Sequence, residues 1–146
     1  MYSFRNDYSE GAHPKVLQAL ADTNLRQTVG YGMDPCCQAA ADTIRRLCAA
    51  PDAAVHFLVG GTQVNLVTID AFLQSYEAVV AAQTGHVSTH ETGAIEATGH
   101  KVCTVESPDG KLTPALVESV LAGHNGTEHM VLPRMVYISD TTEIGT

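Results

Sequence analysis

The sequence predicts an α/β fold, a three-layer sandwich built around a mostly parallel sheet, and three observations predict it. Short apolar runs alternate with segments of helical periodicity from residue 54 to residue 139. Several of those runs are nearly continuous in apolar residues instead of alternating, as strands covered on both faces require. The composition, 45% hydrophobic and 16% charged over 146 residues, is that of a globular chain long enough to bury a core of ordinary size.

The elements follow in order. Residues 13–22 predict a short amphipathic helix, because Pro14 suits a first turn and Val16, Leu17 and Leu20 share one face. A glycine-punctuated stretch, Val29-Gly30-Tyr31-Gly32-Met33, leads to Asp34-Pro35, an N-cap and proline that open a second helix to about Leu47. Its apolar face is expected to hold Ala40, Ile44, Leu47 and Cys48. Ala54–Val59 reads as a buried strand ending at Gly60-Gly61, and Thr62–Leu73 as a helix carrying Val64, Val67, Ile69 and Phe72. Strands over Glu77–Ala82, Lys101–Glu106 and Arg134–Ser139 alternate with helices over Ser88–Thr98 and Thr113–Leu121. This β-α-β-α-β-α-β order implies right-handed crossovers, with ligands at the carboxyl ends of the strands. Neither a linker nor a repeat interrupts it.

A net charge of −8 with no basic run argues against a nucleic-acid partner. The amino terminus, Met1-Tyr2-Ser3-Phe4-Arg5-Asn6-Asp7, lacks a charged segment followed by an apolar one, and no window is apolar enough to span a bilayer. A cytoplasmic protein without membrane contact is therefore expected. Cys36, Cys37, Cys48 and Cys103 form no CxxC pair and read as free thiols. Asn125-Gly126-Thr127 matches a glycosylation sequon but reads better as a turn.

Gly60-Gly61-Thr62-Gln63-Val64-Asn65 joins a predicted strand to a predicted helix, so free backbone N–H groups and the positive end of the helix dipole face one crevice. The glycines admit close approach and Thr62 adds a hydroxyl, which suits a phosphate monoester; a tight turn with a threonine cap is the alternative. The segment is neither GxxxxGK[ST] nor GxGxxG, which disfavours an ATPase or a dinucleotide fold. In the next such loop, Gln83-Thr84-Gly85-His86, the imidazole is placed to stack on a planar ligand or to act as a hydrogen-bonded structural residue. His90 lies four residues on, but the segment is not HExxH and spacing positions no third ligand, so no metal is expected.

Four stretches together resemble the low-specificity threonine aldolases and related β-eliminating lyases, fold-type I pyridoxal-phosphate enzymes. They are Phe4-Arg5-Asn6-Asp7-Tyr8-Ser9-Glu10-Gly11, Gly30-Tyr31-Gly32-Met33-Asp34-Pro35, the Gly60–Asn65 turn, and His86-Val87-Ser88-Thr89-His90-Glu91-Thr92-Gly93-Ala94-Ile95-Glu96 followed by Gly99-His100-Lys101-Val102. The resemblance implies that Gly61 and Thr62 hold the phosphate of pyridoxal 5'-phosphate and that His86 stacks on its ring and relays a proton. It further implies that Asn6 lies near the substrate carboxylate, that Tyr31 reaches a neighbouring subunit's site, and that Glu91 stands behind the stacking ring. A solvated first-turn acid is the other reading of Glu91. Homodimers or homotetramers are implied in the same way.

The segment Val136-Tyr137-Ile138-Ser139-Asp140-Thr141-Thr142-Glu143 resembles the family strand whose end lines the site. The family's next parts, an aspartate for the pyridine nitrogen, a substrate arginine and the Schiff-base lysine, have no counterpart in these residues. Lys15, Lys101 and Lys111 read as surface charges. The expectation is thus an N-terminal arm and helix over residues 1–34 and an incomplete cofactor-binding large domain over residues 35–146, truncated and inactive alone. The intact enzyme is expected to be a lyase of amino-acid metabolism that cleaves L-threonine or L-allo-threonine to glycine and acetaldehyde. The alternatives are a β-eliminating lyase for another β-substituted amino acid and a non-catalytic binding domain.

Overall fold

The computed structural model describes residue 6, residues 8–124 and residues 127–146. Phe4, Arg5, Asp7 and the Asn125-Gly126 turn lie outside the described residues. Two compact units are formed, Met1–Phe57 and Leu58–Thr146.

The first unit carries helices α1 (Pro14–Thr23) and α2 (Pro35–Leu47), each with proline in its first turn. Asp34 caps α2 by accepting the amides of Cys36 at 2.8 Å and Cys37 at 3.0 Å, so the predicted N-cap is the observed one. The expected apolar face of α2 is corrected: Ala41 is buried, whereas Ile44, Leu47 and Cys48 are exposed. In α1 the face of Val16, Leu17 and Leu20 is likewise exposed.

The second unit runs α3 (Gly61–Phe72), β1 (Glu77–Ala82), α4 (His86–Thr89), α5 (Ala94–Ala97), β2 (Lys101–Val105), α6 (Pro114–Gly123) and β3 (Leu132–Val136). The three strands form one parallel sheet in the order β2-β1-β3. Central β1, Glu-Ala-Val-Val-Ala-Ala, is buried from Ala78 onward, as its continuous apolar run requires. Val79 and Ala81 pack with Ile69 and Leu73 of the α3 side, Val87 of α4 and Ile95 of α5. Ala78 and Val80 face the other way, onto Cys103 of β2 and Val120 of α6. Helices therefore cover both faces, and the unit is a three-layer α/β sandwich.

Three expectations are corrected. No strand forms at Ala54–Val59 among the described residues; Phe57 and Val59 are exposed, because an apolar run becomes a strand only where a neighbour completes its hydrogen-bond ladder. The single helix over Ser88–Thr98 is two short ones, because Thr92 and Gly93 take positive φ angles of 53° and 77° between them. The last strand begins at Leu132 and includes Pro133; Ala78 pairs with Pro133 and Val79 with Met135, leaving Arg134 as the extra residue of an irregular edge.

The crossover from β1 to β2 passes on one side of the sheet, and the chain returns through α6 on the other to reach β3. This reversal about β1 makes a switch point at its carboxyl end, where a parallel sheet opens a crevice.

Candidate functional site

A cavity of about 340 Å³ lies at those carboxyl ends. Ala82, Thr84 and Gly85 line it after β1, Gly110–Leu112 after β2, and Tyr137–Asp140, Thr142 and Glu143 after β3. Gly110 has φ +73°, and a Cβ there would lie 3.2 Å from Thr142 Cβ and from Thr84 Oγ1, so its lack of a side chain lets the loops close together.

A second feature of this unit is the start of α3. Gly60, with φ +82°, turns the chain into the helix, and no side chain caps it. The first helical bond runs from the Val64 amide to the Gly60 carbonyl. The amides of Gly61, Thr62 and Gln63 thus precede the ladder, and nothing lies within 4 Å of a Cβ built on Gly60 or Gly61. Open space over uncapped N–H groups at a positive dipole end is what an anionic group needs.

His86 is the first residue of α4, so the β1 turn sets its position. Its ring nitrogens face two carboxylates. Nδ1 is 2.9 Å from Glu143 Oε1, and Nε2 is 3.7 Å from Glu91 Oε1. Glu91 is buried, which removes its reading as a solvated acid. Asn65 Nδ2 donates to Glu91 Oε1 at 2.5 Å, whereas Glu91 Oε2 has no hydrogen-bond partner. Because Asn65 sits one turn after Gly61, this bond ties the anion-ready end of α3 to the His86 ring. His90 stacks on His86 with ring centroids 5.4 Å apart and 23° between planes.

Of the predicted residues of the second unit, His86 and Glu91 face one another, while Gly61 and Thr62 stand at the start of α3, one turn before Asn65. Asn6 and Tyr31 belong to the first unit. Asn6 Oδ1 accepts from the Tyr8 amide at 3.1 Å and the Ser9 hydroxyl at 2.6 Å. Tyr31 is fully exposed and holds φ +62°, an unusual backbone state for an aromatic residue. Sequence reasoning passed over Asn65 as the clamp and Glu143 as the partner of His86. The signal for Asn65 was its place on the helical face of Ile69, at i and i+4; for Glu143 it was only its place after a strand end.

Titration marks groups elsewhere in the fold. Hydrogen bonds from the Cys37 side chain, then its amide, hold the Asp34 carboxyl below its ordinary value. The Lys111 amide, then the Ser107 hydroxyl, do the same for Asp109 in the turn after β2. Burial pushes the Cys103 thiol up, leaving it inert, with His124 Nε2 3.6 Å from its sulfur.

The sequence profile described as beta-eliminating lyase matches residues 4–146. A low-specificity L-threonine aldolase from a Pseudomonas species is 35% identical over 145 residues, covering 98% of this chain and 41% of the relative. A second, from Pseudomonas aeruginosa, is 34% identical over the same lengths. A solved threonine aldolase structure from Leishmania major superposes with a TM-score of 0.95 at 57% identity, covering 100% of this chain and 42% of that one. The chain thus spans about two-fifths of the length of the relatives it matches, and over that span it shares the fold of a threonine aldolase.

Proposed function

Because the chain belongs to the beta-eliminating lyase family, we propose that it forms the phosphate- and ring-binding portion of a threonine aldolase that uses pyridoxal 5'-phosphate. The reaction is cleavage of L-threonine or L-allo-threonine to glycine and acetaldehyde. The observation that carries the reading is the Asn65–Glu91–His86 connection, which holds an uncapped helix start and an imidazole ring in one network.

The residues fit the cofactor. The amides of Gly61 and Thr62, with the Thr62 hydroxyl, supply N–H and O–H donors to a phosphate, and the space over both glycines admits it. His86 supplies a flat ring edged by Glu91 and Glu143, which fix its plane. Bound there, pyridoxal phosphate supplies the electron sink that lets the Cα–Cβ bond break. His86 receives the proton of the substrate β-hydroxyl, directly or through water, and Glu143 beside Nδ1 stabilises the charge that the ring gains. Asn6 binds the substrate carboxylate. Tyr31, exposed on its glycine-rich turn, reaches the site of a neighbouring subunit in a homodimer or homotetramer. A cytoplasmic setting accords with four free cysteines.

Of the lysines, Lys15 and Lys101 are exposed, and Lys111 sits in the loop after β2. Lys111 follows β2 and lines the cavity, but it is an exposed turn residue without the buried setting of a Schiff-base lysine, so the 146 residues by themselves are proposed to release no acetaldehyde. The test is a graft in which residues 4–146 replace the equivalent part of the Leishmania major enzyme. Acetaldehyde release from threonine is expected from the graft and at least 100-fold less from its H86A form. A folded graft that binds cofactor but cleaves no threonine overturns the aldolase reading. Release of β-elimination products from other β-substituted amino acids would favour the second reading, which the family's description supports.

A further inference from the structure

His86, His90 and Glu143 each offer one ligand atom, and these atoms lie within 4.8 Å of one another. We propose that this trio binds a transition-metal dication, Zn2+ being the best match. The inference goes beyond the proposed function and does not rest on it: a metal at Nδ1 and Glu143 occupies the ring edge that the proton relay uses, so the metal-bound state is distinct from the relaying one.

The two histidines share one short stretch, and Glu143 is brought to them from 53 residues beyond His90 by the parallel arrangement of β1 and β3. Glu143 places one carboxylate oxygen 2.9 Å from His86 Nδ1 and the other 3.7 Å from His90 Nδ1. Zinc–ligand bonds of about 2.0–2.2 Å require donor atoms roughly 3.3 Å apart in a tetrahedron. The widest gap here must close by about 1.5 Å to meet that requirement. His90, 58% exposed, has room to turn towards Glu143, which is 25% exposed and already bonded to His86 Nδ1. Two imidazole nitrogens and one carboxylate oxygen select zinc or its neighbours over magnesium or calcium, which take oxygen alone.

The group behind the trio supplies the second observation. A metal-bound histidine nearly always gives its other ring N–H to a carboxylate, which sets the tautomer. With Nδ1 turned to the metal, Nε2 of His86 faces Glu91 Oε1 at 3.7 Å. Asn65 holds that carboxylate in place, and Glu91 Oε2 is a buried oxygen without a partner. A cation at His86 places positive charge next to this buried acid. It replaces the hydrogen bond between His86 Nδ1 and Glu143, and it displaces the Thr89 hydroxyl, now 2.7 Å from His90 Nδ1, if that nitrogen is the ligand.

The experiment uses the 146-residue chain with Cys36, Cys37 and Cys48 changed to serine, so that exposed thiols do not compete. Metal-free protein is titrated with Zn2+ against a chromophoric chelator, and with Co2+ to read the ligand field. One equivalent is expected to bind. H90A and E143Q should each weaken binding at least tenfold, and E91Q about tenfold through the outer ligand. Circular dichroism confirms that each variant keeps its helix and sheet signal. The proposal is overturned if no zinc binds, if H90A and E143Q together leave affinity unchanged, or if binding vanishes with the cysteine substitutions.

Discussion

Glu91 buries a carboxylate with one oxygen held by Asn65 and the other unpartnered, an arrangement whose cost falls on whichever partner is removed. Asn65→Ala leaves that acid without its donor and is expected to destabilise the chain by roughly 1–3 kcal/mol in chemical denaturation. An unchanged midpoint would mean that Glu91 finds compensation elsewhere. Gly110 makes a second residue-scale case. Its positive φ costs an L-residue roughly 1–2 kcal/mol, and a methyl group there would crowd Thr142, Thr84 and Ile144 at 3.2–3.3 Å, so these side chains must give way. Gly110→Ala should therefore destabilise by more than the backbone term alone. Gly123, inside the last turn of α6 with nothing within 4 Å, is the control: Gly123→Ala should stabilise by about 0.4–1 kcal/mol. Equal effects at the two positions would contradict the packing described at Gly110.

At the level of elements, α3 does two jobs from opposite ends. Its uncapped start leaves donors open, and its later turns bury Ile69 against β1. Ile69→Ala removes a fully buried side chain and is expected to cost about 2–5 kcal/mol, read from the unfolding midpoint. A cost below about 1 kcal/mol would indicate that the α3–sheet contact is loose. Helix α6 is anchored differently, by Thr113 accepting the Leu116 amide at 3.3 Å. Thr113→Ala should cost about 1 kcal/mol, with Thr113→Ser restoring most of it. His100 joins elements as well: buried before β2, it sets Nδ1 3.2 Å from the Glu77 carbonyl of β1 and Nε2 3.6 Å from Asp70 of α3.

For the whole molecule, acid stability follows from carboxylates held below their ordinary values. Asp34 and Asp109 are both depressed by hydrogen bonds. Each contributes stability fully present above the unfolded aspartate value of about 3.9 and lost as pH falls through its lower folded value. Asp34→Asn and Asp109→Asn should each flatten the acid limb of stability against pH, measured from pH 6 down to pH 2. A limb as steep as that of the parent chain would show that other carboxylates govern it. At this scale the threonine aldolases that the chain resembles carry more than twice its length.

Local signals determined a good part of this protein. Pro14, Asp34-Pro35 and Thr113-Pro114 begin helices where they stand, because caps and proline act within one turn. The unbroken apolar run of Glu77–Ala82 made a central strand legible, and the resemblance of His86–Glu96 pointed to the family. Tertiary structure decided what depends on partners far along the chain. Ala54–Val59 had the composition of a strand but no neighbour to pair with, so it formed none. Glu91 looked equally suited to water, yet Asn65, 26 residues away, holds it buried. Spacing found no third ligand near His86 and His90, while the fold brought Glu143 to within 2.9 Å. A carboxylate's environment is set by what packs around it, and no periodicity in the sequence records which strand ends will meet.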